Sequence, residues 1–244
     1  MEAKGLGATL RRDAWWLELA PAIVLLGAFG VYATFRAFEG DYYRAGPYLS
    51  PFYSPLLTPG WWPLSPALLI LIWPLGFRLT CYYYRKAYYR SFFLDPPACA
   101  VAEPGGRRYR GETGFPFVLQ NLHRFFLYVA LIFLIFLWHD AWNGFWFDGR
   151  FGIRVGSLVL LANVLLLSGY TLSCHSFRHL VGGKIDCFGC ANFGGPRYRA
   201  WRLVSLLNER HMIYAWTSLI AVGSADLYVR LLASGAISDL TLAP

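Results

Sequence analysis

Five blocks of apolar residues, each long enough to cross a bilayer, constrain this 244-residue chain more than anything else in it. A spanning helix needs roughly 20 predominantly apolar residues. The blocks cover 15–38, 64–84, 117–142, 153–174 and 211–232. Charged residues make up 15% of the chain, against about 25% in soluble domains. The pattern predicts an all-α, integral membrane five-helix bundle, a single transmembrane domain over 1–244. Pro21 and Pro74 fall inside blocks, which membrane helices tolerate because neighbours satisfy the freed carbonyls. The first block is rich in Trp and Glu and has no clear small-residue cleavage site after it, so it is expected to stay as a span. No pair of interrupted helices recurs in two halves, which argues against an inverted-repeat transporter.

The net charge of +8 is distributed as a topology signal. One set of loops carries Lys4, Arg11, Arg12, Arg85, Lys86, Arg90, Arg107, Arg108, Arg110, Arg178, Lys184, Arg197, Arg199, Arg202 and Arg210. The opposite set carries only Arg36, Arg44, Arg150, Arg154 and Arg230. Fifteen basic residues against five put the N-terminus in the cytoplasm and the C-terminus outside. Because the charges alternate with apolar blocks, they mark membrane sidedness, and no nucleic-acid partner is expected.

Soft ligands gather on the basic side. Cys174, His175 and His179 close the fourth block, and Cys187-Phe188-Gly189-Cys190 follows. His175 and His179 are four residues apart, so they share one helix face. Two thiolates and two imidazoles suit tetrahedral zinc or a Rieske-type [2Fe-2S] cluster. Disulfides rarely persist in the cytoplasm, which favours metal binding over cross-linking. Spacing selects His175, His179, Cys187 and Cys190 as ligands, with Cys174, His123 and His211 in reserve. A b haem between His123 and His211, or between either and His175, is the alternative on this side. Blocks one and two carry no histidine, and only His139 lies on the other side, so a dihaem arrangement is excluded. Arg78 and Arg124 lie within apolar blocks, where charge is costly and usually functional. With Tyr128, Tyr214 and Trp216 they form a candidate quinone head-group site. On the outer side, Asp226 and Arg230 are expected to pair with each other or with His139 and Asp140.

The segments Asn121-Leu-His-Arg-Phe-Phe-Leu-Tyr128, Ser173-Cys-His-Ser-Phe-Arg-His179 and Glu209-Arg-His-Met-Ile-Tyr-Ala-Trp216 resemble the single-chain membrane anchor of actinobacterial-type succinate dehydrogenases. The resemblance spans blocks three to five and is weaker over the first hundred residues. It implies a five-helix anchor in the cell's inner (plasma) membrane that carries a Rieske-type [2Fe-2S] cluster in place of haem. It also implies flavoprotein and iron–sulfur subunits docked on the cytoplasmic face, with electrons passing from succinate to menaquinone. The chain is then a subunit of the enzyme and does not itself bind succinate. The reading from a different class is a non-redox membrane protein whose Cys2His2 site holds structural zinc and organises a cytoplasmic interaction surface.

Overall fold

A computed structural model describes residues 5–103, 113–115 and 117–243. Lys4, Arg107, Arg108, Arg110 and the Gly105-Gly106 turn of the third-block connector lie outside the described residues.

Four of the apolar blocks are helices long and apolar enough to cross a membrane: Trp15–Glu39, Phe117–Asn143, Val155–Leu172 and His211–Ala233. The first comprises a 3-10 turn, Trp15–Glu18, and helix α1, Ala20–Glu39, with Pro21 in its first turn, where a missing N–H costs nothing. Gly40, at a φ of 69°, stops it.

The second block departs from the single helix expected over 64–84. It forms three consecutive pieces: α2, Ala67–Ile70; α3, Ile72–Leu79; and α4, Tyr82–Tyr88. Pro74 has no N–H to give the carbonyl of Ile70, which separates α2 from α3. The second break is at Cys81, whose φ of −67° and ψ of 132° are extended. The whole segment nonetheless runs the length of α1 in the opposite direction. Ser65 lies beside Gly40 at one end, and Arg90 pairs with Glu18 at 3.2 Å at the other.

Helix α5, His123–Asn143, follows a 3-10 run, Phe117–Leu122. Helix α6, Val155–Leu172, packs chiefly against α5 and α9. The chain then breaks at Cys174, again extended (φ −61°, ψ 141°), before the single turn α7, His175–Arg178. A π-helical turn, His179–Gly183, and the Cys187–Cys190 turn lead into α8, Gly194–Glu209. Arg210 alone separates α8 from α9, His211–Ala233.

The end opposite the basic loops is capped by short hairpins. Strands β1 (Arg44–Ala45) and β2 (Tyr48–Leu49) pair in register Arg44↔Leu49, and β3 (Trp146–Phe147) pairs with β4 (Arg150–Phe151). Strand β6 (Thr241–Ala243) folds back on β5 (Ile153–Arg154). Asp239 fastens that tail: Tyr48 and Tyr228 donate to its carboxylate at 2.6 and 2.8 Å, and the Gly156 amide donates at 3.1 Å. Burial, and then this carboxylate, hold the Tyr48 phenol above its ordinary pKa.

A buried polar network secures the cap to the helices. Asp226 is fully buried and accepts from Arg230 Nε at 2.8 Å, from Tyr32 at 2.6 Å and from Ser50. Arg230 also donates to Glu39 at 2.6 Å and to the Asp41 carbonyl at 2.7 Å. The expected Asp226–Arg230 pair is therefore present. Asp140 lies outside it and takes a hydrogen bond from Ser54 at 2.5 Å. Removing one partner of a buried ion pair costs about 3–5 kcal/mol. Asp226→Ala is expected to lower the melting temperature of the purified protein markedly, and Asp226→Asn, which keeps an acceptor, less so. Equal melting of the alanine variant and the wild type in a thermal denaturation scan would show that the network does not hold the cap.

Candidate functional site: a crossed pair of thiols and imidazoles

The two helix breaks and two helix starts meet near the basic end of the bundle. Cys81 and Cys174 sit at the breaks, 2% and 1% exposed. His123 and His211 are the first residues of α5 and α9. His123 Nε2 lies 3.0 Å from Cys174 Sγ, and His211 Nε2 lies 3.5 Å from Cys81 Sγ. The four side chains come from four separate parts of the sequence, and both cysteines belong to one apolar cluster with Phe77, Tyr84, Leu127 and Tyr170.

Each imidazole is held on its other nitrogen by the hydroxyl that precedes the opposite cysteine. Thr80 Oγ1 is 2.9 Å from His123 Nδ1, and Ser173 Oγ is 2.7 Å from His211 Nδ1. Thr80 gives its own proton to the Gly76 carbonyl at 2.7 Å, and Ser173 gives its proton to the Tyr170 carbonyl at 3.2 Å. Each hydroxyl thus bridges a backbone carbonyl and a ring Nδ1, and the Nε2 of each ring is turned towards sulfur. A hydrogen-bonded far nitrogen is the usual support of a metal-binding histidine. The rings are also clamped flat: Phe77 stacks on His123 at 4.8 Å and 4°, and Tyr170 on His211 at 5.2 Å and 15°. The Ser173 carbonyl accepts from Asn208 at 2.7 Å, which ties the second break to α8.

The ligands selected by spacing are arranged differently. Cys187 and Cys190 are bonded to each other as a disulfide, and neither His175 nor His179 is hydrogen-bonded to them. His175 is exposed at the start of α7, and His179 is half-buried at the start of the π-helical turn. The structure thus does not assemble that set. The three reserve residues, Cys174, His123 and His211, are brought together, and Cys81 completes the group. Among the described residues, no three His, Cys, Asp or Glu side chains converge on a point suited to a single metal ion. The arrangement is two Cys–His pairs.

A cavity of about 440 Å³ opens on the far side of Phe77 and Tyr170. It is apolar along most of its length, from Phe38, Pro51 and Phe52 at the capped end past Leu71 and Leu134. Its polar end is Arg78 and Tyr170. Arg78 donates to Tyr84, to Ser218 Oγ at 3.1 Å and to the Ala215 carbonyl at 3.3 Å. Its guanidinium lies 4.8 Å from the centroid of the Tyr170 ring. The Tyr170 hydroxyl is buried and has no hydrogen-bond partner among the described residues. Of the five expected quinone residues, only Arg78 lines this cavity. Arg124 and Tyr128 are exposed on the outer surface of α5. Tyr214 packs over Gly169, where a Cβ would lie 2.6 Å from its ring. Trp216 stands edge-on to Tyr84 at 5.8 Å. Tyr170 was missed because a tyrosine within an apolar run carries no sequence signal of an unpaired hydroxyl.

The chain was compared with known proteins on this basis. The model of the actinobacterial succinate dehydrogenase subunit SdhC family matches residues 17–235. No curated protein matches. Among solved structures, a chain of the Mycobacterium smegmatis Sdh1 complex in the apo form is 46% identical, with a TM-score of 0.85 over 95% of this chain and 93% of that one. The chain belongs to the actinobacterial succinate dehydrogenase subunit SdhC family, as the membrane-anchor subunit of a succinate dehydrogenase complex.

Proposed function

We propose that this anchor crosses the membrane five times with its basic face in the cytoplasm, and passes electrons from an iron–sulfur subunit docked there to a quinone in the cavity beside Tyr170. The flavoprotein that oxidises succinate docks through that iron–sulfur subunit. The broken second block counts as the fifth crossing because it runs the full length of α1. The charge imbalance between the two sets of loops supports the orientation.

Cys81, Cys174, His123 and His211 fit the donor set of a Rieske-type [2Fe-2S] cluster, which takes two thiolates and two imidazoles. The observation that carries this reading is the crossed support in which Thr80 and Ser173 hold both rings by Nδ1 with Nε2 facing the thiols. When bound, such a cluster supplies one-electron transfer. The chain's own contribution is to hold the two imidazoles in this orientation and to keep water from the thiols by burial. Thin aromatic walls, Phe77 and Tyr170, separate the donors from the cavity. At the cavity's polar end, the Arg78 guanidinium stabilises negative charge developing on a quinone oxygen. The unpartnered Tyr170 hydroxyl is positioned to donate a hydrogen bond to the same head group, and the apolar length beyond accommodates an isoprenoid tail.

Iron analysis, a visible spectrum and electron paramagnetic resonance of the dithionite-reduced protein test the donor set. Cys81→Ser and Cys174→Ser are expected to lose iron and the resonance, because a hydroxyl replaces a thiolate that iron selects. Cys187→Ser and Cys190→Ser are expected to keep both. The reverse result returns the site to the Cys187–Cys190 turn. A colourless wild type containing zinc favours the structural-zinc reading, and a strong haem band favours b haem.

Tyr170→Phe removes only the hydroxyl. One neutral hydrogen bond contributes about 0.5–1.5 kcal/mol, so quinone reduction is expected to fall roughly two- to tenfold. Succinate oxidation with a soluble dye should be unchanged. Parallel loss of both activities, or of neither, removes Tyr170 from the quinone site.

A further inference from the structure

Helix α8 has three distinct long faces, one packed on the bundle and two exposed among the described residues. Successive residues turn by about 100°. Val204, Trp201 and Asn208 form the face packed on the bundle, where Val204 is buried and Asn208 bonds the Ser173 carbonyl. About a quarter-turn to one side lie Pro196, Ala200, Leu203 and Leu207, spaced i, i+4, i+7 and i+11 and wholly apolar. About a quarter-turn to the other side lie Tyr198, Arg202 and Glu209, all polar or amphipathic. Arg199 and Arg210 project between these flanks, beside Leu206 and along the edge of the apolar stripe. Leu203 and Leu206 are each 62% exposed. The side chains of Arg199 and Arg210 are exposed and have no hydrogen bond or ion pair among the described residues.

This is the layout of a helix lying in a membrane interface, with one face on protein, one in acyl chains and one in water. Its position agrees. Arg210 alone joins α8 to the spanning helix α9, whose first turn exposes Met212 (53%) and Ile213 (52%). The apolar stripe is therefore continuous in the chain with a surface that must face lipid. Arg199 and Arg210 adjoin the apolar stripe, whereas Arg202 lies on the opposite flank. Basic residues at that depth attract anionic lipid.

We propose that α8 is an interfacial helix and that Arg199 and Arg210 bind the phosphates of anionic phospholipids in the leaflet on the basic side, with Leu203 and Leu207 against the acyl chains. The inference does not depend on the cluster or the quinone site.

The test uses the intact complex, with native mass spectrometry from micelles holding equal phosphatidylglycerol and phosphatidylcholine. Wild type is expected to retain phosphatidylglycerol with a preference on the order of tenfold, from two basic side chains at an anionic surface. Arg199→Gln combined with Arg210→Gln should bring the ratio close to one. Arg202→Gln, on the water flank, should leave it at the wild-type value. Raised salt should weaken the wild-type preference. An unchanged ratio in the double variant overturns the proposal, and so does an equal fall in Arg202→Gln. Loss of the soluble subunits from the double variant overturns it too, and identifies this edge as a protein-docking face.

Discussion

A polar group inside an apolar slab must find its partner within the protein. The two interruptions at Cys81 and Cys174 break helical hydrogen bonding among buried side chains, and hydroxyls at the broken ends bond the backbone beside each break. Thr80 Oγ1 donates to the Gly76 carbonyl of its own helix, Ser173 Oγ donates to the Tyr170 carbonyl of its own helix, and Asn208 reaches from α8 to the Ser173 carbonyl. The same two hydroxyls then orient His123 and His211. Repair of the backbone and alignment of the imidazoles are thus one set of hydrogen bonds. The stacked rings of Phe77 and Tyr170 pack against that set, and the apolar cavity begins where they end.

The opposite end of the bundle obeys the same constraint with charges. Asp226 is fully buried, and its carboxylate is tied to Arg230, Tyr32 and Ser50. Arg230 in turn reaches Glu39 at the end of α1. Isolated buried charge is too costly to persist. The loop of residues 40–63 is irregular in backbone yet well packed, because its Ser50 and Tyr53 are drawn into the network. One end of the bundle therefore presents chemistry-bearing groups and the other is closed by a polar seal.

Much of this was legible in the sequence, and the omissions have physical causes. Apolar length set the spans because a bilayer has a fixed thickness. The break at Cys81 was not visible: no Gly or Pro stands at that position, and the preceding Pro74 read as a tolerated interruption of a membrane helix. Cys187 and Cys190 stood out because they are close in sequence, whereas Cys81, His123, Cys174 and His211 meet from four helices. Two sequence patterns mark the second group. A hydroxyl residue precedes a cysteine twice, at Thr80-Cys81 and Ser173-Cys174, and a histidine begins a long block twice on the same side. Neither motif means anything alone, since it is the exchange of partners between them that brings the four side chains together. Tyr170 could be placed only once its neighbours were known, because an unpaired hydroxyl is a property of packing.

The crossing of partners also bears on how such a subunit is made. His123 faces the cysteine of the fourth block, and His211, on the fifth block, faces the cysteine of the second. Neither half of the donor set can form from contiguous chain. The two Cys–His pairs can therefore close only after α9 has entered the membrane and folded back on α6. A chain stalled before α9 lacks His211, the partner that faces Cys81.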